Sequence, residues 1–151
     1  MVEKNEMKLE FPGLSRNEGF ARVAVAAFAA SYDPTLEELH DIKTAVSEAV
    51  TNAMIHGYED WGEEPGTVVI RCRMQEGVLE VEVEDRGKGI ADIRQAMEPL
   101  FTTKPQLDRS GMGFSFMEAF MDELEVESTP GVGTLVRMRK RLEAQEGRKE
   151  R

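Results

Sequence analysis

The sequence is poor in cysteine and histidine, with one cysteine, Cys72, and two histidines among 151 residues. A single thiol excludes a disulfide framework within the chain, and one cysteine with two histidines cannot build a metal cluster. This composition suits the reducing cytoplasm, which is the expected location. Cys72 alternates with Val68, Ile70 and Met74, a pattern that predicts a buried structural thiol on one face of a strand.

Long apolar runs and an excess of basic charge are also lacking. The longest apolar stretch, residues 23–30, is far shorter than the roughly 20 residues that cross a bilayer, and the charged N-terminus has no apolar signal region. Lysine and arginine total 19 against 29 acidic residues, which gives a net charge of −10. Because nonspecific nucleic-acid binding requires a basic surface, we expect neither a direct nucleic-acid partner nor a membrane partner.

The order of apolar patterns predicts an α+β fold. A strand is expected over 7–11, helices over 15–30 and 35–56, a hairpin over 67–84, a helix over 114–121 and a second hairpin over 123–141. Ser15 with Glu18, and Thr35 with Glu38, have the spacing of capping boxes at the starts of the first two helices. Together these elements predict a two-layer α/β sandwich, in which a mixed sheet carries helices on one face.

One domain is expected over residues 1–141, followed by a polar tail at 142–151 that is expected to be disordered. The second helix should bury a single apolar stripe, made of Leu39, Ile42, Val46, Ala49, Val50 and Ala53. In the first hairpin, arginines and glutamates alternate with apolar residues. This pattern predicts a solvated outer sheet face and an inner face covered by helices.

Three polar residues of the second helix, Glu48, Asn52 and His56, are spaced i, i+4 and i+8. This spacing places them on one edge of the helix, turned away from the apolar stripe. An amide oxygen can ligate magnesium, and a carboxylate can accept a proton from an attacking hydroxyl. The competing interpretation is the ordinary solvated face of an amphipathic helix.

Asp85 and the glycines Gly87 and Gly89 directly follow the second strand of the first hairpin. The two glycines permit close backbone approach to a ligand. An aspartate at the end of a buried strand requires a donor partner, and the exocyclic amine of adenine is such a donor. The alternative is an ordinary glycine-containing turn. The segment is not a Walker A loop, because no Gly-Lys-Ser/Thr ending is present.

Two later segments have the composition of phosphate-binding loops. Residues 110–113 form a glycine-rich turn before a helix, where backbone amides make an anion site. Thr102, Thr103 and Lys104 supply two hydroxyls and an ammonium that could close over phosphates. A flexible connection and ordinary loop residues are the competing interpretations.

In this order, the segments resemble the nucleotide-binding boxes of the GHKL (Bergerat-fold) ATPases, a superfamily that includes histidine kinases and DNA gyrase. Residues 48–56 resemble the N box, 85–89 the G1 box, 110–114 the G2 box, and 131–134 the final Gly-Thr element. Within the superfamily, residues 48–53 (Glu-Ala-Val-Thr-Asn-Ala) and 99–105 (Pro-Leu-Phe-Thr-Thr-Lys-Pro) are similar to the sporulation serine-kinase anti-sigma factors. The resemblance covers residues 7–141.

The resemblance implies a protein serine kinase that binds ATP or ADP with Mg²⁺. Such proteins phosphorylate a serine of an anti-anti-sigma protein and sequester a sporulation sigma factor, usually as a homodimer. By position, Glu48 would be the catalytic base, Asn52 the Mg²⁺ ligand, and Asp85, supported by Thr134, the acceptor for the adenine amine. Gly87, Gly89, Gly111 and Gly113 would let the backbone pass close to the nucleotide.

A lid over residues 91–110 would close on the phosphates through Thr102, Thr103 or Lys104. His56 would line the nucleotide site and would not be a phosphoacceptor, because the chain lacks the separate helical region that carries the phosphorylated histidine in histidine kinases. On the first helix, Glu18 and Arg22 are candidate partner contacts, or alternatively a plain i, i+4 surface pair.

Two other functions remain open from the sequence. A nucleotide-gated sigma-binding module without phosphotransfer would not need Glu48, so the presence of this carboxylate argues against it. A solitary ATPase would use Glu48 to activate water, but the chain has no transducer domain that would use the hydrolysis.

Overall fold

The computed structural model describes residues 3–54, 66–87 and 113–143. Five strands and three helices lie in these ranges. They are β1 (Lys4–Pro12), α1 (Arg16–Ala30), α2 (Leu36–Asn52), β2 (Thr67–Gln75), β3 (Val78–Asp85), α3 (Gly113–Phe120), β4 (Glu123–Thr129) and β5 (Gly133–Arg141). The predicted order of elements is confirmed for these residues. No helix among them is long and apolar enough to cross a membrane.

The sheet has the strand order β1-β2-β3-β5-β4, and helices cover one of its faces. The predicted two-layer α+β architecture is confirmed. The expectation of a mixed sheet is wrong, because all four described pairings are antiparallel. β4 runs parallel to β3, but the two strands are not neighbours. β5 lies between them and pairs antiparallel with both.

The inner face of the sheet and the apolar stripe of α2 form one hydrophobic core. Ile42, Val46 and Val50 of the stripe are fully buried, as are Ile70 and Val81 of the sheet, and Leu39 is partly buried. Cys72 is buried in the same core, which confirms its structural assignment. The periodicities of 3.6 on the helix and 2 on the strands therefore identified the faces that meet.

The outer face of the sheet carries the expected ladder of opposite charges. The guanidinium of Arg73 lies 2.6 Å from Glu80, and that of Arg71 lies 2.9 Å from Glu84. Arg139 of β5 also binds Glu80, at 2.7 Å, so Glu80 joins two strands across β3. These contacts are partly exposed, and each contributes only a few tenths to about 1 kcal/mol.

The two predicted capping boxes have different outcomes. At α2, the Thr35 hydroxyl accepts the Glu38 N–H at 3.0 Å, and the Glu38 carboxylate accepts the Thr35 N–H at 2.8 Å. At α1, Ser15 has helical backbone angles and its side chain makes no capping hydrogen bond, so this prediction is wrong. The reason is tertiary: the Glu18 carboxylate that would complete the box accepts a hydrogen bond from Ser47 of α2.

The hairpin end of the sheet, formed by Glu76, Gly77 and Leu142, also holds the start of α2. Both Glu76 and Gly77 have positive φ, which suits a two-residue turn. Leu142 is fully buried and donates its N–H to Gly77, while the Glu143 N–H binds the Glu38 carboxylate at 2.9 Å. Packing therefore continues past the expected domain boundary at residue 141. Residues 144–151 lie outside the described residues.

α2 begins at the hairpin end and is about as long as β3. Its 17 residues span about 25 Å, and the 8 residues of β3 span about 26 Å. Because Glu38 and Asp41 are both held near the hairpin end, the last turn of α2 lies far from that end. The opposite end of the sheet, formed by Asp85 and Thr134, is called the site end below.

Candidate functional site

Asp85 is the last residue of β3 and lies in register with Thr134, the second residue of β5. Asp85 is only 8% exposed, and its carboxylate accepts the Gly87 N–H at 2.8 Å. This hydrogen bond between residues only two apart shows that the chain turns sharply after Asp85. A strand thus delivers a buried carboxylate to the site end, and a glycine turn leaves room beside it.

Burial raises the pKa of Asp85 from 3.8 to about 6, although the backbone N–H groups of Gly87 and Thr134 favour the ionised form. The neighbouring Glu84 carboxylate raises the pKa further. At neutral pH the group is therefore charged and only partly compensated. Such a carboxylate is a strong acceptor for a ligand N–H donor.

Ser128 and Gly133 support Thr134 and were not identified from the sequence as supporting residues. The Ser128 hydroxyl lies 2.8 Å from the Thr134 hydroxyl and donates to the Gly133 carbonyl at 3.1 Å. Gly133 has φ of 147°, and a Cβ at this position would lie 2.2 Å from the Asp85 carbonyl oxygen. The predicted second hairpin could have identified Ser128 from the sequence. Its antiparallel register places Ser128 of β4 directly opposite Thr134 of β5.

Glu48 and Asn52 occupy successive turns near the end of α2, far from the hairpin end. Both side chains are half-buried, whereas the neighbouring Ala49 and Val50 are buried in the core. This placement agrees with the expected turn of the two polar residues away from the apolar stripe. Beyond Asn52 the helix widens into a π turn, a feature that is frequent at functional sites.

α3 points its N-terminus away from the hairpin end. Lys140 near the hairpin end donates to the Phe120 carbonyl, at the last residue of α3, at 2.7 Å. Lys140 also lies 3.6 Å from Asp41 in the first half of α2, so the end of α3 packs near the start of α2. Gly113 begins α3 at the other end, and helix N-terminal N–H groups there favour anions.

These groups fit a magnesium nucleotide. The buried Asp85 carboxylate suits an exocyclic amine, and Glu48 and Asn52 present the oxygen donors that a hard cation prefers. The N-terminus of α3 suits phosphate oxygens. Gly133 keeps the start of β5 close against Asp85, where any larger residue would collide.

Residues 11–140 match the family model of the histidine kinase-like ATPase domain. The chain is 58% identical to the anti-sigma F factor of Clostridium novyi (strain NT), covering 93% of this chain and 96% of that protein. It is 55% identical to the anti-sigma F factor of Bacillus subtilis (strain 168), covering 92% and 94% respectively. The chain belongs to the anti-sigma F factor family of histidine kinase-like ATPases.

Solved structures show the same fold. The RsbU and RsbW domains of a Mycobacterium tuberculosis protein align with a TM-score of 0.66 and 21% identity, covering 91% of this chain and 32% of that chain. The catalytic domain of the histidine kinase ThkA aligns with a TM-score of 0.54 and 19% identity, covering 90% and 96%. The match to the histidine kinase-like ATPase domain spans every element that forms the site end, namely α2, β3, α3 and β5.

Several residues expected from the family resemblance lie outside the described residues and stay predictions. They are His56, Gly89, Thr102, Thr103, Lys104 and Gly111. The described part of the candidate site consists of α2, the ends of β3 and β5, and the start of α3. Glu48, Asn52, Asp85, Gly87 and Thr134 lie on or directly next to these elements, and their roles stay predictions.

Glu18 and Arg22, the candidate partner contacts, differ in exposure. The Glu18 side chain is 16% exposed and accepts a hydrogen bond from Ser47, which precedes Glu48. Arg22 is 43% exposed, and its guanidinium lies 3.9 Å from Glu18. Glu18 therefore joins α1 to α2, whereas Arg22 remains accessible from outside, next to the exposed apolar residue Val23.

Proposed function

We propose that the protein is an anti-sigma factor that sequesters a sporulation sigma factor and uses ATP to phosphorylate a serine of its anti-anti-sigma partner. The observation that carries the proposal is the high identity to anti-sigma F factors over nearly their whole length. The buried Asp85 carboxylate, placed at the end of β3 in an ATPase fold, supports the nucleotide part. The proposal also includes a homodimer as the functional form of the protein.

In this proposal, Asp85 accepts the exocyclic amine of adenine in its ionised form, and Thr134 holds the carboxylate through its backbone N–H. Asn52 ligates Mg²⁺, which offsets the charge on the phosphate oxygens when it is bound. Glu48, one helical turn before Asn52, accepts the proton of the serine hydroxyl as the hydroxyl attacks the γ-phosphate.

The glycines and the lid complete the proposed pocket. Gly87, Gly89, Gly111 and Gly113 let backbone N–H groups approach the phosphates. Thr102, Thr103 or Lys104 closes over the γ-phosphate from the lid, and His56 lines the pocket. Closure would exclude water and favour transfer to serine over hydrolysis.

Transfer of labelled phosphate from ATP to the anti-anti-sigma protein tests the proposal. A Glu48→Gln variant is expected to lose at least about 100-fold in transfer rate, because general-base catalysis contributes about 10²–10⁴-fold. ATP affinity should change little, since Gln keeps the volume and one oxygen. Glu37→Gln, an exposed change in the first turn of α2, is the matched control.

Unchanged transfer by Glu48→Gln would remove Glu48 from the base role. If the wild-type protein binds ATP and the sigma factor but transfers no phosphate to any partner, the nucleotide-gated binding module replaces the kinase. Phosphate release without a protein acceptor would instead indicate a solitary ATPase.

The proposed partner surface on α1 centres on Arg22, whose guanidinium lies 3.9 Å from the Glu18 carboxylate. Val23, the next residue, is 60% exposed, so the surface beside Arg22 offers both charge and apolar area. Arg22→Ala is expected to weaken sigma-factor and anti-anti-sigma binding by about fivefold or more. Arg16→Ala, an exposed change at the start of α1, is the control in the same calorimetric titrations. Intact affinity of Arg22→Ala for both partners would refute this surface.

A further inference from the structure

Ser47 directly precedes the proposed base Glu48 on α2. Its hydroxyl donates a hydrogen bond to the Glu18 carboxylate in the first turn of α1, 29 residues away in the sequence. Ser47 is half-buried, and the Glu18 side chain is only 16% exposed. A hydrogen bond to a carboxylate is stronger when it is partly shielded from water. The contact therefore joins the two helices firmly at this point.

The first turn of α1 lies at the site end of the sheet. The Asn17 side chain in this turn donates to the Pro12 carbonyl at 2.9 Å, and Pro12 is the last residue of β1. Pro12 pairs with Thr67 at the start of β2, and the next residue, Val68, pairs with Asp85. The hydrogen bond from α2 to this turn therefore holds the second half of α2 near the site end.

The anchors at the start of α2 are distant from Glu48. Glu38 and Asp41 are held near the hairpin end, about 15 Å and about 10 Å from Glu48 along the helix axis. The Ser47 contact acts on the same helical turn as Glu48. Because backbone hydrogen bonds fix consecutive helical residues relative to each other, a rotation of this turn that redirects Glu48 would also stretch the bond from Ser47.

α1 provides a fixed support for this contact and carries the proposed partner surface. The helix is fixed on the core by three fully buried residues, which are Ala21, Val25 and Ala29. One turn after Glu18, the partly exposed Arg22 guanidinium lies 3.9 Å from the same carboxylate that binds Ser47. Contacts therefore run without a gap from the partner surface to the residue beside the proposed base.

We infer that Ser47 is a positioning residue for phosphate transfer, which holds Glu48 in the orientation that accepts the proton of the substrate serine. The inference rests on the proposed kinase function and deepens it. Ser47 acts through Glu18 and the helix backbone and touches neither ATP nor the substrate. A misdirected base slows the step in which the proton moves but leaves the groups that bind ATP unchanged. Loss of the contact should therefore lower kcat and leave the KM for ATP unchanged.

Removal of the hydroxyl tests this split between kcat and KM. Ser47→Ala is expected to lower kcat for transfer to saturating anti-anti-sigma protein by about tenfold, because small misplacements of a catalytic group are costly. Its KM for ATP should stay within about twofold of wild type, since the ATP-binding groups are intact. Ser47→Thr keeps a hydroxyl donor and should restore most of kcat. Thr44→Ala, which removes another half-buried hydroxyl of α2, is the matched control.

Variants of Glu18 test the same hydrogen bond from its acceptor side. Glu18→Ala should lower kcat about as much as Ser47→Ala does, and the double variant should lose no more than either, because one contact is broken in all three. Glu18→Gln keeps an acceptor oxygen for Ser47, so it should lose less than Glu18→Ala. If Ser47→Ala fails to fold, as judged by circular dichroism, Glu18→Ala carries the same prediction.

The Glu48→Gln background separates positioning from a general structural effect. Without the base, Ser47→Ala should lower the residual kcat no further, whereas a general weakening of the fold would add its own loss. The inference is overturned if Ser47→Ala keeps wild-type kcat, if its loss lies in the KM for ATP, if Thr44→Ala loses as much, or if the losses of Ser47→Ala and Glu48→Gln multiply.

These outcomes leave the proposed function standing as long as wild type transfers phosphate and Glu48→Gln does not. Absence of transfer by the wild-type protein would overturn the kinase proposal, and this inference with it.

Discussion

At the scale of single residues, the buried charge of Asp85 is expected to favour ATP binding but to lower the free energy of unfolding. Its pKa is raised from 3.8 to about 6 by burial, so the protonated form stabilises the fold below about pH 4, and this contribution is lost as the pH rises through 6. Asp85→Asn is therefore expected to raise the free energy of unfolding of the nucleotide-free protein at pH 7 by about 1–3 kcal/mol. The gain should shrink as the pH falls from 6 to 4.

The same variant should bind ATP about 10- to 100-fold more weakly at pH 7, because a hydrogen bond to a charged acceptor is lost. Urea denaturation across the pH range and calorimetry with ATP measure the two effects on one protein sample. A stability gain that is independent of pH, or unchanged ATP affinity, would contradict the role given to Asp85.

Gly133 determines how closely the start of β5 approaches Asp85. Gly133→Ala would place a Cβ 2.2 Å from the Asp85 carbonyl oxygen and 2.7 Å from the Arg86 Cα, so backbone must move. We expect a loss of about 2–4 kcal/mol in unfolding free energy, together with weaker ATP binding. Gly131→Ala is the control, because Gly131 also has positive φ but no atom lies within 4 Å of its added Cβ. Similar losses for both variants would show that the collision is unimportant.

At the scale of elements, the starts of α1 and α2 have the same sequence signal but different structures. Thr35→Ala removes a side-chain acceptor used by the Glu38 N–H and should cost about 1 kcal/mol in unfolding free energy. Ser15→Ala removes no capping hydrogen bond and should cost only a few tenths. Thermal unfolding of both variants compares the two helix starts. Equal losses would mean that Ser15 does cap α1 in solution.

At the scale of the whole molecule, nucleotide binding should stabilise the entire fold, because the proposed site would join α2 to the ends of β3 and β5. ATP with Mg²⁺ at 100 times its Kd should add about 2.7 kcal/mol to the unfolding free energy, which is measurable as a rise in Tm. Asn52→Ala should lose the part of this rise that depends on Mg²⁺. An Asn52→Ala protein that keeps the full Mg²⁺-dependent rise would place the metal elsewhere.

The sequence by itself determined which faces of α2, β2 and β3 are apolar and buried, and which element carries each proposed functional residue. Alternation in β2 and β3, the stripe of α2 and the Thr35 capping box are local patterns with a local physical cause, so they were predictable. Glu48 and Asn52 were placed on one side of α2 because helical periodicity allows no other arrangement. The position of Asp85 at a strand end followed from the same kind of pattern.

The tertiary structure decided what depends on contacts between residues distant in the chain. The sheet is antiparallel because β5 lies between β3 and β4. No local sequence pattern specifies which strand pairs with β3. Glu18 was available to cap α1, yet it binds Ser47, 29 residues away, which removed one predicted capping box. The close approach of Gly133 to Asp85 also exists only once β5 lies beside β3. Burial of Asp85 in that arrangement is what raises its pKa, because water is excluded from one side of the carboxylate.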